Sequence, residues 1–90
     1  MGNKELVVNL KYLGRISDQV GKSAEQMKIN CGATLAGLSH HLEKQYSLSL
    51  LDEGIIFTLN GKSWYKYKEK FSVKLKSGDL VCLFPIVAGG

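Results

Sequence analysis

The sequence is poor in the residues that build special chemistry. It has two cysteines in 90 residues, Cys31 and Cys82. They form no Cys-x-x-Cys pair and have no His/Cys spacing suited to zinc. Neither a disulfide scaffold nor a metal site is therefore expected. Cys82 reads as a small core residue of the last strand. Cys31 precedes Gly32 at a strand-to-helix turn and reads as exposed, and a persulfide role for it ranks below a plain structural one. No apolar run approaches the length of a membrane span. The first residues, Met1 to Leu6, lack the apolar stretch of a signal peptide. Leu6 also stands where a myristoylation signal carries Ser or Thr. No membrane partner is expected, and the expected location is cytoplasmic.

Charge is not concentrated either. The net charge is +4, and the lysines are scattered, without the dense block of a nucleic-acid arm. They read as a solvated basic surface, or more sharply as a docking face for an acidic partner. Trp64, Tyr65 and Tyr67 lie among lysines, a pattern that can stack bases. An aromatic sheet edge is the plainer reading, so no nucleic acid is expected as partner. There is no paired-acid motif and no phosphate-binding glycine loop. His40 and His41 are adjacent, so on a helix they point apart, whereas metal binding favours i,i+4 spacing. No Ser or Cys motif accompanies them to make a catalytic pair. Both read as surface residues, and no bound cofactor is expected.

What is present is a small body and a distinctive end. A chain of this length makes one domain, with roughly 60–70% of its unfolded surface buried. Val8, Leu10 and Tyr12 alternate with Asn9, Lys11 and Leu13, which predicts a first strand over 6–13. Arg15 to Lys22 reads as a polar loop anchored by Ile16 and Val20, and 23–29 as a second strand. Thr34 is a good N-cap for a helix. Leu35, Leu38, Leu42 and Tyr46 form one apolar stripe on it. Gly37 interrupts that helix at a cost of about 1 kcal/mol relative to alanine. A close approach to a strand would explain it. The segment 46–54 connects, with Leu48, Leu50 and Leu51 covering one end of the core.

Ile55 to Leu59 is a third strand, and Asn60-Gly61 a type I′ hairpin turn, since both residues tolerate positive φ. A short edge strand over 62–67 returns from it. Phe71, Val73 and Leu75 alternate through the charged stretch 68–76. The turn Ser77-Gly78-Asp79 leads into the last strand, Leu80-Val81-Cys82-Leu83-Phe84. The order strand, strand, helix, strand, short strand, strand predicts an α+β domain with one main helix on a mixed sheet of four to five strands; it is the start of a β-grasp, and the pattern alone also permits other small α+β folds.

Pro85 fixes φ and lacks an N–H, so it closes the last strand. Ile86, Val87 and Ala88 follow as a short apolar spacer, then Gly89 and Gly90. The division expected is a body over 1–84 and a flexible tail over 85–90. Glycines without Cβ atoms suit a narrow slot in a partner. This end resembles that of the ubiquitin-like sulfur carriers, the MoaD and ThiS proteins. It is most similar to the small subunit of molybdopterin synthase, MoaD, which commonly ends Phe-Pro-Pro-Val-Ser-Gly-Gly. Phe84, Pro85, Val87, Gly89 and Gly90 match; Ile86 and Ala88 depart.

The resemblance implies a ubiquitin-like fold and a carrier role. An E1-like enzyme of the MoeB or ThiF kind would use ATP to adenylate the carboxylate of Gly90. A sulfur donor would then convert it to a thiocarboxylate. Phe84, Pro85, Ile86, Val87, Ala88 and Gly89 would contact partners, among them a MoaE-like large subunit. The Phe84-Pro85 pair and the chain length favour the molybdopterin type over ThiS, which is typically shorter. Carriers for tungsten cofactors or tRNA thiolation, a ubiquitin-like protein modifier and a plain binding module are the alternatives.

Overall fold

A computed structural model of the chain describes residues 5–48 and 54–86. Strand β1 (Glu5–Tyr12) keeps the alternation of its sequence. Leu6, Val8, Leu10 and Tyr12 are buried, while Val7, Asn9 and Lys11 face outward. It pairs antiparallel with β2 (Ala24–Asn30) and parallel with β5 (Leu80–Pro85). Strand β5 also pairs antiparallel with β3 (Ile55–Leu59), whose other neighbour is the two-residue β4 (Lys62–Ser63). The sheet order is β2-β1-β5-β3-β4. The parallel pair β1 and β5 sits at its centre, and its strands cannot be joined by a tight hairpin.

One face of this sheet is covered by α2 (Leu35–Tyr46). The Thr34 hydroxyl accepts from the Gly37 N–H at 3.3 Å, capping the helix as its sequence predicts. Leu35, Leu38 and Leu42 are buried against Val8, Leu10, Phe57, Val81 and Leu83 in one core, and Tyr46 packs at its margin. One helix on a mixed five-stranded sheet is the expected β-grasp.

The Asn60-Gly61 turn is as predicted, with φ of 53° and 83°. The structure adds a lock that local sequence does not show. Asp79, 8% exposed, accepts from the Lys76 backbone N–H at 2.7 Å and from the Asn60 side-chain amide at 3.0 Å. The Asn60 side-chain oxygen in turn accepts from the Leu80 N–H at 2.9 Å. The hairpin turn and the turn into β5 thereby satisfy each other's polar groups.

Three expectations are corrected, for 15–22, for 62–67 and for Cys82. Arg15 to Val20 is a helix, α1 (Arg15–Val20), rather than a loop. Six residues do not hold a helix alone; burial of Ile16 and a Gly21 cap, donating to the Ser17 carbonyl at 2.8 Å, stabilise it. The edge strand expected over 62–67 stops at Ser63 and becomes a 3-10 turn over Trp64–Lys66. There Trp64 stacks on Phe57 and Phe71, at centroid distances of 5.7 and 4.3 Å. The alternating stretch after Lys68 folds as a 3-10 turn over Lys70–Ser72, then binds the start of α2. The Val73 carbonyl accepts from the Leu35 N–H, and the Leu75 N–H donates to the Ala33 carbonyl. Lastly, Cys82 is no core residue: in β5 Val81 and Leu83 are buried and Cys82 is half-buried on the outer face.

Cys31, His40 and His41 are exposed, and Leu48 is buried, as read from sequence. Leu50 and Leu51 lie outside the described residues. Among the described residues no three His, Cys, Asp or Glu side chains gather as a metal site. No helix among them is long and apolar enough to cross a membrane.

Gly37 does not mediate a close approach. A Cβ there would meet only the Thr34 hydroxyl, at 3.9 Å. Gly37→Ala is therefore expected to stabilise the fold by about 1 kcal/mol, the difference in helix propensity. A denaturation midpoint that fails to rise would contradict that account.

Glu25 ties β2 to β1 and α2. One carboxylate oxygen accepts from the Tyr12 and Tyr46 hydroxyls at 2.6 and 2.7 Å; the other meets Lys22 at 3.4 Å. Burial alone would raise its pKa, but the two hydroxyls and Lys22 outweigh burial and hold it below the ordinary 4.5. The unfolded chain then binds more protons in this window, so stability falls as pH drops from about 4.5 through the depressed value. Glu25→Gln is expected to flatten that acid limb. An unaltered pH profile in thermal melts would contradict the assignment.

Candidate functional site

Strand β5 leaves the middle of the sheet at Pro85, and three segments converge there. Pro85 lies opposite Ile55 of β3 in register. The next residue is still held, since the Ile86 N–H donates to the Gly54 carbonyl at 2.9 Å. The same carbonyl accepts from the Arg15 guanidinium at 3.3 Å. From the other side Gly14 closes over the proline. Its φ is 57°, and a Cβ there would lie 3.0 Å from Pro85 Cγ. Only glycine combines that backbone conformation with that approach at low cost. Val87, Ala88, Gly89 and Gly90 lie outside the described residues.

The outer sheet face beside this exit is apolar. Phe84 lies opposite Ile56, and Cys82 opposite Thr58. Cys82 also lines up with Lys11 across the parallel pair. All of Ile56, Thr58, Leu80, Cys82 and Phe84 are only partly covered. Leu13, just past the end of β1, is 46% exposed and Ile86 is 44% exposed, the two most exposed large apolar side chains described. Such contiguous apolar surface on a small domain marks an interaction face.

Of the sequence-predicted site residues, the structure describes Phe84, Pro85 and Ile86 and brings them together at this exit. Gly14, Arg15 and Gly54 were not singled out from sequence. Gly14 shows locally only as a strand end, and nothing nearby in the chain announces a proline from the last strand.

A β-grasp body with an apolar sheet face beside the exit of its central strand defines a ubiquitin-like domain. Residues 10–90 match the ThiS family, and the chain belongs to that family. Solved structures share the fold. A putative molybdopterin converting factor subunit 1 from Pyrococcus furiosus is 23% identical, with a TM-score of 0.75. The match covers 91% of this chain and 99% of that one. Small archaeal modifier protein 1 from Methanosarcina acetivorans is 20% identical, with a TM-score of 0.74 and coverage of 97% and 99%. Molybdopterin-converting factor from Helicobacter pylori, solved as a complex of subunits 1 and 2, is 21% identical, with a TM-score of 0.64 and coverage of 94% and 100%. No curated protein matches the chain in sequence.

Proposed function

We propose that this protein is a sulfur carrier of the MoaD type, with Gly90 as its reactive end. A carboxylate is a poor electrophile at neutral pH. In this reading a carboxylate oxygen of Gly90 attacks the α-phosphorus of ATP on an E1-like, MoeB- or ThiF-like enzyme, and pyrophosphate leaves. Hydrosulfide from the sulfur donor then attacks the acyl carbon and loses its proton. AMP departs with the carboxylate oxygen, leaving a thiocarboxylate. That group would deliver sulfur during molybdopterin synthesis, with this chain as the small subunit beside a MoaE-like large subunit in the cytoplasm. The chain itself would be a protein co-substrate and non-catalytic subunit, and ATP would be bound by the activating partner.

The observation that carries the proposal is the junction at Pro85. A central strand is clamped by Gly14 and Gly54 beside an apolar sheet face, four residues before a Gly-Gly pair that the family match includes. A fixed base with a glycine end suits delivery of a carboxyl into an enclosed site. The partner assignment draws support from the Helicobacter pylori complex of converting-factor subunits. A second reading, conjugation of the activated end to lysines of other proteins, is favoured by the likeness to small archaeal modifier protein 1.

The test is the intact mass of the chain after incubation with an E1-like enzyme, ATP and a sulfur donor. One oxygen-for-sulfur exchange localised to Gly90 is the expected result. An unchanged mass with an active enzyme would overturn the carrier role. Isopeptide-linked adducts in lysate would favour the modifier.

A further inference from the structure

The lysines, scattered along the sequence, are unevenly placed on the fold. Six of the twelve Lys and Arg residues fall within 62–76: Lys62, Lys66, Lys68, Lys70, Lys74 and Lys76. Glu69 is the one acid in that stretch, which therefore carries +5. The rest of the chain has six basic and seven acidic residues and carries −1. All six lysines are exposed. Among the described residues no carboxylate pairs with Lys66, Lys68, Lys74 or Lys76; the ion pair described joins Lys22 to Glu25. Because β4 has only two residues, Lys62 alone sits on the sheet edge. Discouraging edge-to-edge pairing would account for that lysine and not for the other five.

The backbone beneath these charges is pinned. The Trp64 and Phe71 rings stack at 4.3 Å between centroids, closing the loop that carries Lys66, Lys68 and Lys70. The Tyr67 hydroxyl donates to the Leu59 carbonyl at 2.6 Å. Lys74 bridges to Thr34 at the start of α2. The stretch lies at the end of the sheet where β5 begins, since Lys62 pairs with Leu59 and Leu59 with Val81. Pro85 lies toward the other end, about 13 Å along the strand from Val81.

What this face withholds narrows its partner. Trp64 stacks on Phe57 and Phe71, and the Tyr67 ring lies under the Lys62 ammonium at 4.7 Å. Neither ring is presented to a nucleic-acid base. Glu69 interrupts the positive surface, where a phosphate backbone favours a continuous track. The one arginine of the chain, Arg15, reaches the Gly54 carbonyl at the Pro85 end. The face thus lacks the side chain that grips phosphate with two parallel bonds. Phe71, Val73 and Leu75 pack against the core, so none of the three is a wedge for a membrane. We propose that this basic face docks an acidic surface of a partner protein, rich in Asp and Glu, while the Pro85 end stays open to a second partner. Lysines on a pinned backbone meet carboxylates as point charges. The contrast between +5 here and −1 elsewhere orients the approach of an acidic surface. This docking does not depend on the chemistry of Gly90.

The experiment is a titration of the isotope-labelled full chain with a synthetic dodecapeptide, alternating Glu and Asp with Gly and Ser. Amide shifts clustered within 62–76 are expected, with none at Ile56, Phe84 or Ile86. Binding should weaken as salt is raised to physiological ionic strength. Lys66→Glu, Lys68→Glu and Lys74→Glu together should weaken it about tenfold or more and leave the thermal melt unchanged. Lys11→Glu, Lys28→Glu and Lys44→Glu together change the net charge equally, outside the face. That variant should bind within about twofold of the natural chain. Equal loss in the two variants would overturn the proposal, because net charge and not this face would then govern binding. So would shifts at Phe84 or Ile86, which would mean one shared surface, or no shifts within 62–76 at low salt. Tighter binding of a single-stranded or duplex oligonucleotide, or of phosphatidylserine vesicles, than of the peptide at matched ionic strength would overturn it as well.

Discussion

Removal of Gly90 is expected to abolish thiocarboxylate formation and leave the fold intact. The carboxyl would then sit on Gly89, short of the activating site by about 3.5 Å, the span of one residue. Displacements of even an ångström cost orders of magnitude in rate when the reacting atoms must meet in line. The described core residues all lie between Leu6 and Leu83, so the truncation removes none of them. Mass spectrometry of the truncated chain with the activating enzyme reads the first effect, and a thermal melt reads the second. Sulfur incorporation at Gly89 at the full-length rate would end the assignment of Gly90.

The second large effect is expected at Phe84. Its ring lies on the outer sheet face opposite Ile56, near the exposed Leu13 and Ile86. An aromatic side chain in the middle of an apolar patch is the kind of residue that dominates an interface. Phe84→Asp would place a carboxylate where a partner must exclude water. A loss of about a hundredfold in affinity for the activating enzyme is expected, equivalent to roughly 3 kcal/mol. Because Val81 and Leu83, not Phe84, fill the core side of β5, the melting temperature should change little. Titration calorimetry with the partner, beside a thermal melt, separates the two effects. Wild-type affinity in a folded variant would show that partners dock elsewhere.

Both predictions concern residues picked out by the Phe-Pro and Gly-Gly features of the chain's end; the elements of the body were legible for another reason, periodicity. Val8, Leu10 and Tyr12 recur every second residue, and Leu35, Leu38 and Leu42 every third or fourth. A buried face leaves such patterns wherever one element supplies it. Asn60 and Gly61 were legible for a similar reason: the positive φ of a tight turn is a local demand. Cys82 shows the limit. An apolar run does not say which of its residues face the core, and its alternation emerged only once β5 was seated between β1 and β3.

The sequence by itself determined the strands and main helix of the domain, the helix cap, the hairpin turn and the Phe-Pro and Gly-Gly features of the chain's end. Each depends on neighbours within a few residues. Only the tertiary structure decided what surrounds Pro85, which described strands edge the sheet and where Trp64 turns inward. Gly14 meets Pro85, and Asn60 meets Asp79, across long stretches of chain. Gly37 reads in sequence as a weakness in a helix; beside β2 it lines a groove. Contacts between distant segments are set by packing and by the need to pair buried polar groups, and neither leaves a periodic trace along the chain.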